Sequence, residues 1–159
     1  MIIVTRRASI ESSSPEEVFA SLADPNRICD LLPRMQKVEL LDRNLETCSA
    51  RMITYMSLGG IFGIIRCEGD LTWTEPGDIL FKVHTPVSLE TRWTLIPAVY
   101  GTDLQATMSL DLRPLLGPMA AFVPKQIVSD LLAGELEAAL NAIRDDSANN
   151  VLREQAIAA

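Results

Sequence analysis

The chain has 159 residues, 48% of them hydrophobic and 22% charged, with a formal net charge of −7 at pH 7. This length fits one domain that buries its own core without staples or metals. The acidic balance argues against nucleic acid as a partner, and against a polybasic membrane surface, because both require clustered Lys and Arg.

The cysteines and the N-terminus indicate a reducing compartment. Cys29, Cys48 and Cys67 are isolated, and an odd count without close pairs predicts neither a disulfide framework nor a metal motif. The opening "MIIVTRRASI" places its charges after a very short apolar run, which is the wrong order for a signal peptide. We therefore expect a cytoplasmic protein with no metal and no cofactor.

Two short helices are expected after a first strand over residues 2–11. Ser14 is a suitable N-cap, Pro15 fits the first helical position and Glu17 completes a capping box. The pair Asp24–Pro25 repeats the start signal for a second helix.

From Met35 to Leu112 the hydrophobic period changes to two, which predicts consecutive strands. In "TDLQATMSLDLR", for example, Leu104, Ala106 and Met108 share one face. Short connections between such strands favour an antiparallel meander with one dry face, which must be covered. The long apolar helix within residues 113–143 is the element large enough to cover it. Residues 146–159 lack strong structure signals and are expected to form a flexible tail beyond a single domain of residues 1–145.

This order of elements resembles the START-related helix-grip (SRPBCC) superfamily. The stretch "IESSSPEEVFASLADPNRICDLLPRMQKVELLD" is similar to the opening of its polyketide cyclase/dehydrase and coenzyme Q-binding branch. There a strand runs into Pro-Glu-x-Val-(Phe/Trp) and then "LADP". The stretches "LGGIFGIIRCEGDL" and "GPMAAFVPKQIVSDLLAGELEAALNAI" resemble the hairpin and the final helix of that branch.

The resemblance covers roughly residues 2–144 and implies an α+β helix-grip fold. In that fold a curved antiparallel sheet carries two short helices after its first strand, and a long C-terminal helix lies over the sheet. A cavity remains between sheet and helix. Members bind lipids, sterols, isoprenoid quinones or polyketides, and some are cyclases or aromatases, so the resemblance identifies a fold better than an activity.

Alternation along the strands predicts which side chains face the inner space. Large apolar side chains and flexible methionines are typical of an adaptable apolar pocket, although each residue is equally compatible with an ordinary core. The strand "CSARMITYM" has two partly apolar faces, and a bulge there would bring Arg51 and Tyr55 inward instead of Met52 and Met56. The expected inner residues are Met52, Met56, Cys67, Leu71, Trp73, Ile79, Phe81, Val83, Leu89, Trp93, Leu95, Met108 and Leu110.

The apolar arc of the long helix has a bulky side and a small-residue side. The bulky side consists of Val128, Leu132, Leu136, Leu140 and Ile143. The other side consists of Gly134, Ala138 and Ala142 beside Ile127 and Leu131, and small residues there would leave volume over the sheet. Leu131, Ala138 and Glu135 therefore join the strand residues Met52, Met56, Cys67, Leu71, Trp73, Phe81, Trp93 and Met108 as expected ligand contacts.

Glu135 lies between the two sides of the helix. A buried carboxylate without a partner is costly or becomes neutral. One hypothesis is that Glu135 recognises the polar end of a ligand or transfers a proton. The other is that it reaches water at a cavity mouth or pairs with an arginine.

Two further apolar segments invite functional hypotheses. For Ile61 and Phe62 in the hairpin tip there are three hypotheses. They fold back onto the core, they close the pocket, or they contact a membrane or protein partner transiently. Residues 115–123 are a candidate for closing the opposite rim of the cavity.

Three functions remain open on the sequence. The first is binding or transport of a hydrophobic small molecule such as a lipid, an isoprenoid or an aromatic, polyketide-like compound. The second is a cyclase or aromatase, for which Glu135, Tyr55 and Arg51 would supply the proton transfers. The third is a protein-interaction module. The sequence gives no indication of oligomeric state.

Overall fold

The computed structural model describes residues 1–32, 34–57 and 63–158, without the side chains of Pro25 and residues 150–158. Its elements follow the predicted order of strand, two short helices, meander and long helix. The strands are β1 (Ile2–Glu11), β2 (Met35–Asn44), β3 (Ser49–Ser57), β4 (Ile64–Thr74), β5 (Asp78–Thr85), β6 (Ser88–Ala98) and β7 (Gly101–Asp111). The helices are α1 (Pro15–Ala23), α2 (Pro25–Leu31), α3 (Arg113–Leu116) and α4 (Lys125–Ala158), with a 3-10 helix over Gly117–Phe122.

The seven strands form one sheet in the order β1-β7-β6-β5-β4-β3-β2, and every neighbouring pair is antiparallel. Strands β1 and β2 are the two edges, because α1 and α2 separate them in the chain. The predicted caps position these helices: the Ser14 side chain accepts from the Glu17 N–H at 3.2 Å, and Asp24 accepts from the Asn26 N–H at 2.9 Å. The α+β helix-grip architecture expected from the sequence is confirmed.

The inner face of the sheet follows the predicted alternation. On β7, Leu104 and Ala106 are 1% and 0% exposed. On β3, Met52 is buried and Arg51 is exposed, so the ambiguous strand takes the orientation that places its methionines inside.

The pairing of β4 with β5 contains an irregularity. The register between these strands shifts at Glu68 and Gly69. A Cβ atom on Gly69 would lie 2.2 Å from the main-chain oxygen of Lys82, so no other residue fits without moving one of the strands. Gly69 therefore permits a close approach of the two backbones on the concave side of the sheet.

Helix α4 packs its bulky side, not its small-residue side, against the sheet. Leu136, Leu140 and Ile143 are 1–3% exposed. In contrast, Leu131 is 61% exposed and Ala138 is also exposed, so the prediction that these two residues face the sheet is wrong. The physical reason is that the side with Leu136, Leu140 and Ile143 buries more apolar surface in total than the side that carries Gly134 and Ala138.

The long helix also continues through the segment expected to be a flexible tail. Ser147 is buried, and its hydroxyl forms a hydrogen bond with that of Ser13. Arg27 of α2 forms an ion pair with Asp146. The predicted boundary at residue 145 thus falls inside α4, since these contacts hold its next turn against the start of the chain. Within the ranges that the structure describes, no helix is both long and apolar enough to cross a membrane.

Candidate functional site

A cavity of about 100 Å³ lies between α4, the two short helices and the concave face of the sheet. Its walls come from every part of the fold except β1 and the segment between β7 and α4. Among the described residues that line it, only Arg34, Glu135 and Thr91 are polar. The apolar lining consists of Leu22, Ala23, Ile28, Leu32, Met35, Val38, Leu40, Met52, Met56, Leu71, Ile79, Phe81, Leu89, Trp93, Met108, Leu136 and Ala139.

Seven of the residues expected from the sequence to contact a ligand line this cavity. Alternation places the strand residues correctly, because facing in a strand repeats every second residue. Of the three residues expected from the helix, Glu135 lines the cavity. The other helix residues in the lining are Leu136 and Ala139, and not the expected Leu131 and Ala138. The seven are Met52, Met56, Leu71, Phe81, Trp93, Met108 and Glu135.

Cys67 and Trp73 face inward but lie outside the cavity. Cys67 is 4% exposed, and burial raises the pKa of its thiol despite the opposing effect of the Thr54 hydroxyl. This favours the protonated, unreactive form. Trp73 lines a separate space of about 30 Å³, and the guanidinium of Arg43 lies 5.9 Å from the centre of its ring.

The mouth of the cavity carries an ion pair between Arg34 and Glu135. Arg34 Nε lies 2.7 Å from Glu135 Oε1, and the side chains are 47% and 38% exposed. Glu135 thus adopts the arrangement of an arginine partner at the rim, one of the two alternatives that the sequence left open. The main-chain oxygen of Arg34 accepts a hydrogen bond from the Ser57 N–H at 2.8 Å, which fixes this segment to the end of β3.

Sequence reasoning missed Arg34 and Thr91 as cavity residues. Arg34 lies between α2 and β2, outside any periodic segment. Thr91 is on the inner face of β6 by alternation, but it is not a large apolar residue and so was not among the expected contacts. It is 6% exposed, and its hydroxyl makes no hydrogen bond with any residue that the structure describes.

Arg51 and Tyr55, the other candidates for proton transfer in a cyclase, do not face the cavity. Arg51 is exposed on the outer face of β3. Tyr55 lies on the same outer face, where Lys37 Nζ is 5.8 Å from the centre of its ring. The alternative in which a bulge would bring them inward does not occur, because no bulge interrupts the pairing of β3 with β4.

The two remaining apolar segments do not contribute to the described site. Ile61 and Phe62 lie outside the described residues. The segment over residues 115–123 does not line the cavity and is largely exposed, Met119 by 67% and Phe122 by 85%, so the expectation that it closes the rim is wrong. In the described part of the chain, no group of three or more His, Cys, Asp or Glu residues could hold a metal ion.

Comparison with known proteins identifies structural relatives but no sequence relatives. No protein-family model matches the chain, and no curated protein matches it. A START superfamily protein from Mycobacterium smegmatis is similar with a TM-score of 0.75 and 16% identity, covering 92% of this chain and 97% of that one. The ZhuI aromatase/cyclase from Streptomyces sp. R1128 gives a TM-score of 0.72 and 17% identity, with 94% of each chain covered.

A third structure, TTHA0849 from Thermus thermophilus, gives a TM-score of 0.73 and 15% identity over 94% of this chain and 97% of that one. Similarity at such identities concerns the backbone and does not transfer an activity. The strand order, the two short helices after β1, the long helix over the concave face and these neighbours agree: the chain has an α+β helix-grip fold.

Proposed function

We propose that this protein binds a hydrophobic small molecule in the cavity between α4 and the sheet, and carries or presents it. The observation that carries the proposal is the lining, which is apolar apart from one threonine and an ion pair at the mouth. Concave, mostly apolar sites with a few polar groups are typical of small-molecule binding. The occurrence of the same fold in a START protein and in aromatase/cyclases supports the proposal.

The size of the cavity limits what it holds in this state. About 100 Å³ is less than the roughly 300–1,000 Å³ typical of pockets for drug-sized ligands. A larger ligand therefore requires expansion, and the lining has the means for it. Met35, Met52, Met56 and Met108 line the cavity, and unbranched methionine side chains rearrange with little strain.

Entry requires the mouth to open past Arg34 and Glu135. Both side chains are more than a third exposed, and an ion pair of this kind contributes about 0–1 kcal/mol. Separation of the pair therefore costs little, and the ligand gains about 25 cal/mol for each Å² of apolar surface that it buries, before the costs of association. The mouth is held closed weakly enough for exchange.

Two measurements test the proposal. Mass spectrometry of the purified protein under non-denaturing conditions should show a co-purified apolar ligand. The chain has two tryptophans, so a Trp73→Phe variant leaves Trp93, which lines the cavity, as the sole indole reporter. Small ring compounds should then change the Trp93 fluorescence saturably. The absence of both a co-purified ligand and saturable binding would overturn the proposal.

A cyclase or aromatase is the second candidate, and the ZhuI neighbour is the observation that favours it. Such a reaction needs groups that move protons near the reacting atoms. The ionisable side chains that line the cavity within the described residues are Arg34 and Glu135, and they pair with each other. We therefore place the enzyme second. Turnover of a polyketide-like substrate that disappears in a Glu135→Gln variant would reverse this order.

A further inference from the structure

The Thr91 hydroxyl has no partner in an otherwise apolar part of the cavity. Thr91 lies in the middle of β6 and is 6% exposed. Its register partners are Phe81 on β5 and Met108 on β7, and both also line the cavity. The hydroxyl makes no hydrogen bond with any described residue.

Strand propensity accounts for the shape of this residue but not for its hydroxyl. Valine has the same branched outline and fits a half-buried strand equally well. Among the described residues the buried hydroxyl that lacks a partner is that of Thr54, so the Thr91 hydroxyl is open to the cavity. Thr91 can therefore offer a hydrogen bond to a molecule in the cavity that valine could not offer.

Water is a poor partner for Thr91. The cavity has room for a water molecule, but a buried water typically makes about two to four hydrogen bonds. Thr91 supplies one, and the two other polar lining residues, Arg34 and Glu135, are paired at the mouth. Displacing a weakly held water by a ligand group that hydrogen-bonds to Thr91 is favourable.

We infer that Thr91 determines ligand class: the cavity takes a largely apolar molecule with a neutral carbonyl or hydroxyl oxygen at its buried end, which hydrogen-bonds to the Thr91 hydroxyl. The inference rests on the proposed binding function. The oxygen is neutral because the cation among the described lining residues, Arg34, lies at the exposed mouth, and a carboxylate at the enclosed end would be an unpaired buried charge.

The test uses two ring compounds of nearly equal size that differ by one oxygen, 1-tetralone and tetralin. Their dissociation constants are measured by calorimetry for the full chain and for three variants, and by Trp93 fluorescence when the same proteins also carry Trp73→Phe. Thr91→Val removes the hydroxyl and keeps the shape, whereas Thr91→Ser keeps the hydroxyl. Thr94→Val is the matched control, because Thr94 lies on the outer face of the same strand. A thermal unfolding curve confirms that each variant is folded.

We expect Thr91→Val to lower the preference for 1-tetralone over tetralin by about three- to tenfold, the range of one hydrogen bond. Thr91→Ser and Thr94→Val should retain the wild-type preference. Binding of both compounds with the same preference in wild type and Thr91→Val would overturn this inference and leave the binding function intact. Failure of the wild-type protein to bind either compound would overturn the binding function, and the inference with it.

Discussion

The inner face of the sheet has a filled region and a hollow region. The filled region consists of Ile10, Leu104 and Ala106 of β1 and β7 together with Leu140 and Ile143 of α4, all 0–3% exposed. The hollow region is the cavity, whose floor comes mainly from β2 to β6. Tight packing and empty space are therefore located in different parts of one surface.

The largest expected difference between the regions is in unfolding. Leu104→Ala in the filled region should lower the free energy of unfolding by about 2–5 kcal/mol, because it leaves a new void in a tightly packed site. Met108→Ala, on the same face of the same strand, borders the existing cavity and should cost less than half as much. Urea denaturation of both variants measures the difference. Equal losses would mean that the hollow region is packed like the filled one.

The next effect concerns ligand space. Ala139 lines the cavity and is 5% exposed, whereas its neighbour Ala138 is exposed and does not line the cavity. Ala139→Leu should fill the cavity and weaken the binding of 1-tetralone by about tenfold or more, a loss of at least 1.4 kcal/mol. Ala138→Leu should bind as wild type does. A tight-binding Ala139→Leu variant, measured by Trp93 fluorescence, would place the ligand elsewhere.

A smaller effect is expected at the mouth. Glu135→Gln should change the free energy of unfolding by less than about 1 kcal/mol, since the ion pair is half-exposed. It should leave the affinity for uncharged 1-tetralone unchanged and speed both association and dissociation, as measured by stopped-flow fluorescence.

The control is Glu137→Gln, because Glu137 pairs with Arg6 at 3.0 Å and does not line the cavity. This variant should leave the kinetics unaltered. A weaker affinity of Glu135→Gln with unaltered rates of association would assign Glu135 a direct contact with the ligand.

The smallest effect lies outside both regions, at the end of β7. Hydrogen bonds from the Arg113 guanidinium, and a further one from the main-chain N–H of Arg113, lower the pKa of Asp111 from 3.8 to about 2. Because the pKa is lower in the folded state, the contribution of this pair to stability is present above pH 3.8 and is lost as the pH falls through about 2. Arg113→Ala should return the pKa towards 3.8 in a carboxyl NMR titration, with ligand binding unaffected. An unchanged pKa would show that Arg113 is not the cause.

The strand faces were predictable from the sequence and the helix face was not. A strand has two faces, so one charged residue such as Arg51 assigns all of its neighbours. Helix α4 offered two apolar sides, and periodicity gives the width of an apolar arc without saying which part of it touches the sheet. The pattern therefore predicts that Leu131 faces inward, although Leu136 and Leu140 occupy that position.

The sequence also could not predict which of the inward-facing residues along a strand line the cavity. Cys67 and Trp73 face inward as predicted, but the path of α4 and α2 over the sheet decides which inward residues meet empty space. Arg34 belongs to a connection with no period, and its place at the mouth follows from the hydrogen bond between its carbonyl and Ser57. Such contacts depend on tertiary structure and leave no local signal.

Gly69 has a consequence for how the protein could change its ligand over evolution. Its missing Cβ lets β4 and β5 approach closely where their register shifts. Substitutions at methionines or at Thr91 alter the chemistry of the cavity and leave the backbone in place. A substitution at Gly69 would instead move a whole strand and change the shape available to every ligand. The shape of the sheet beneath the cavity therefore depends on glycine at position 69, whereas the chemistry of the cavity depends on the side chains that line it.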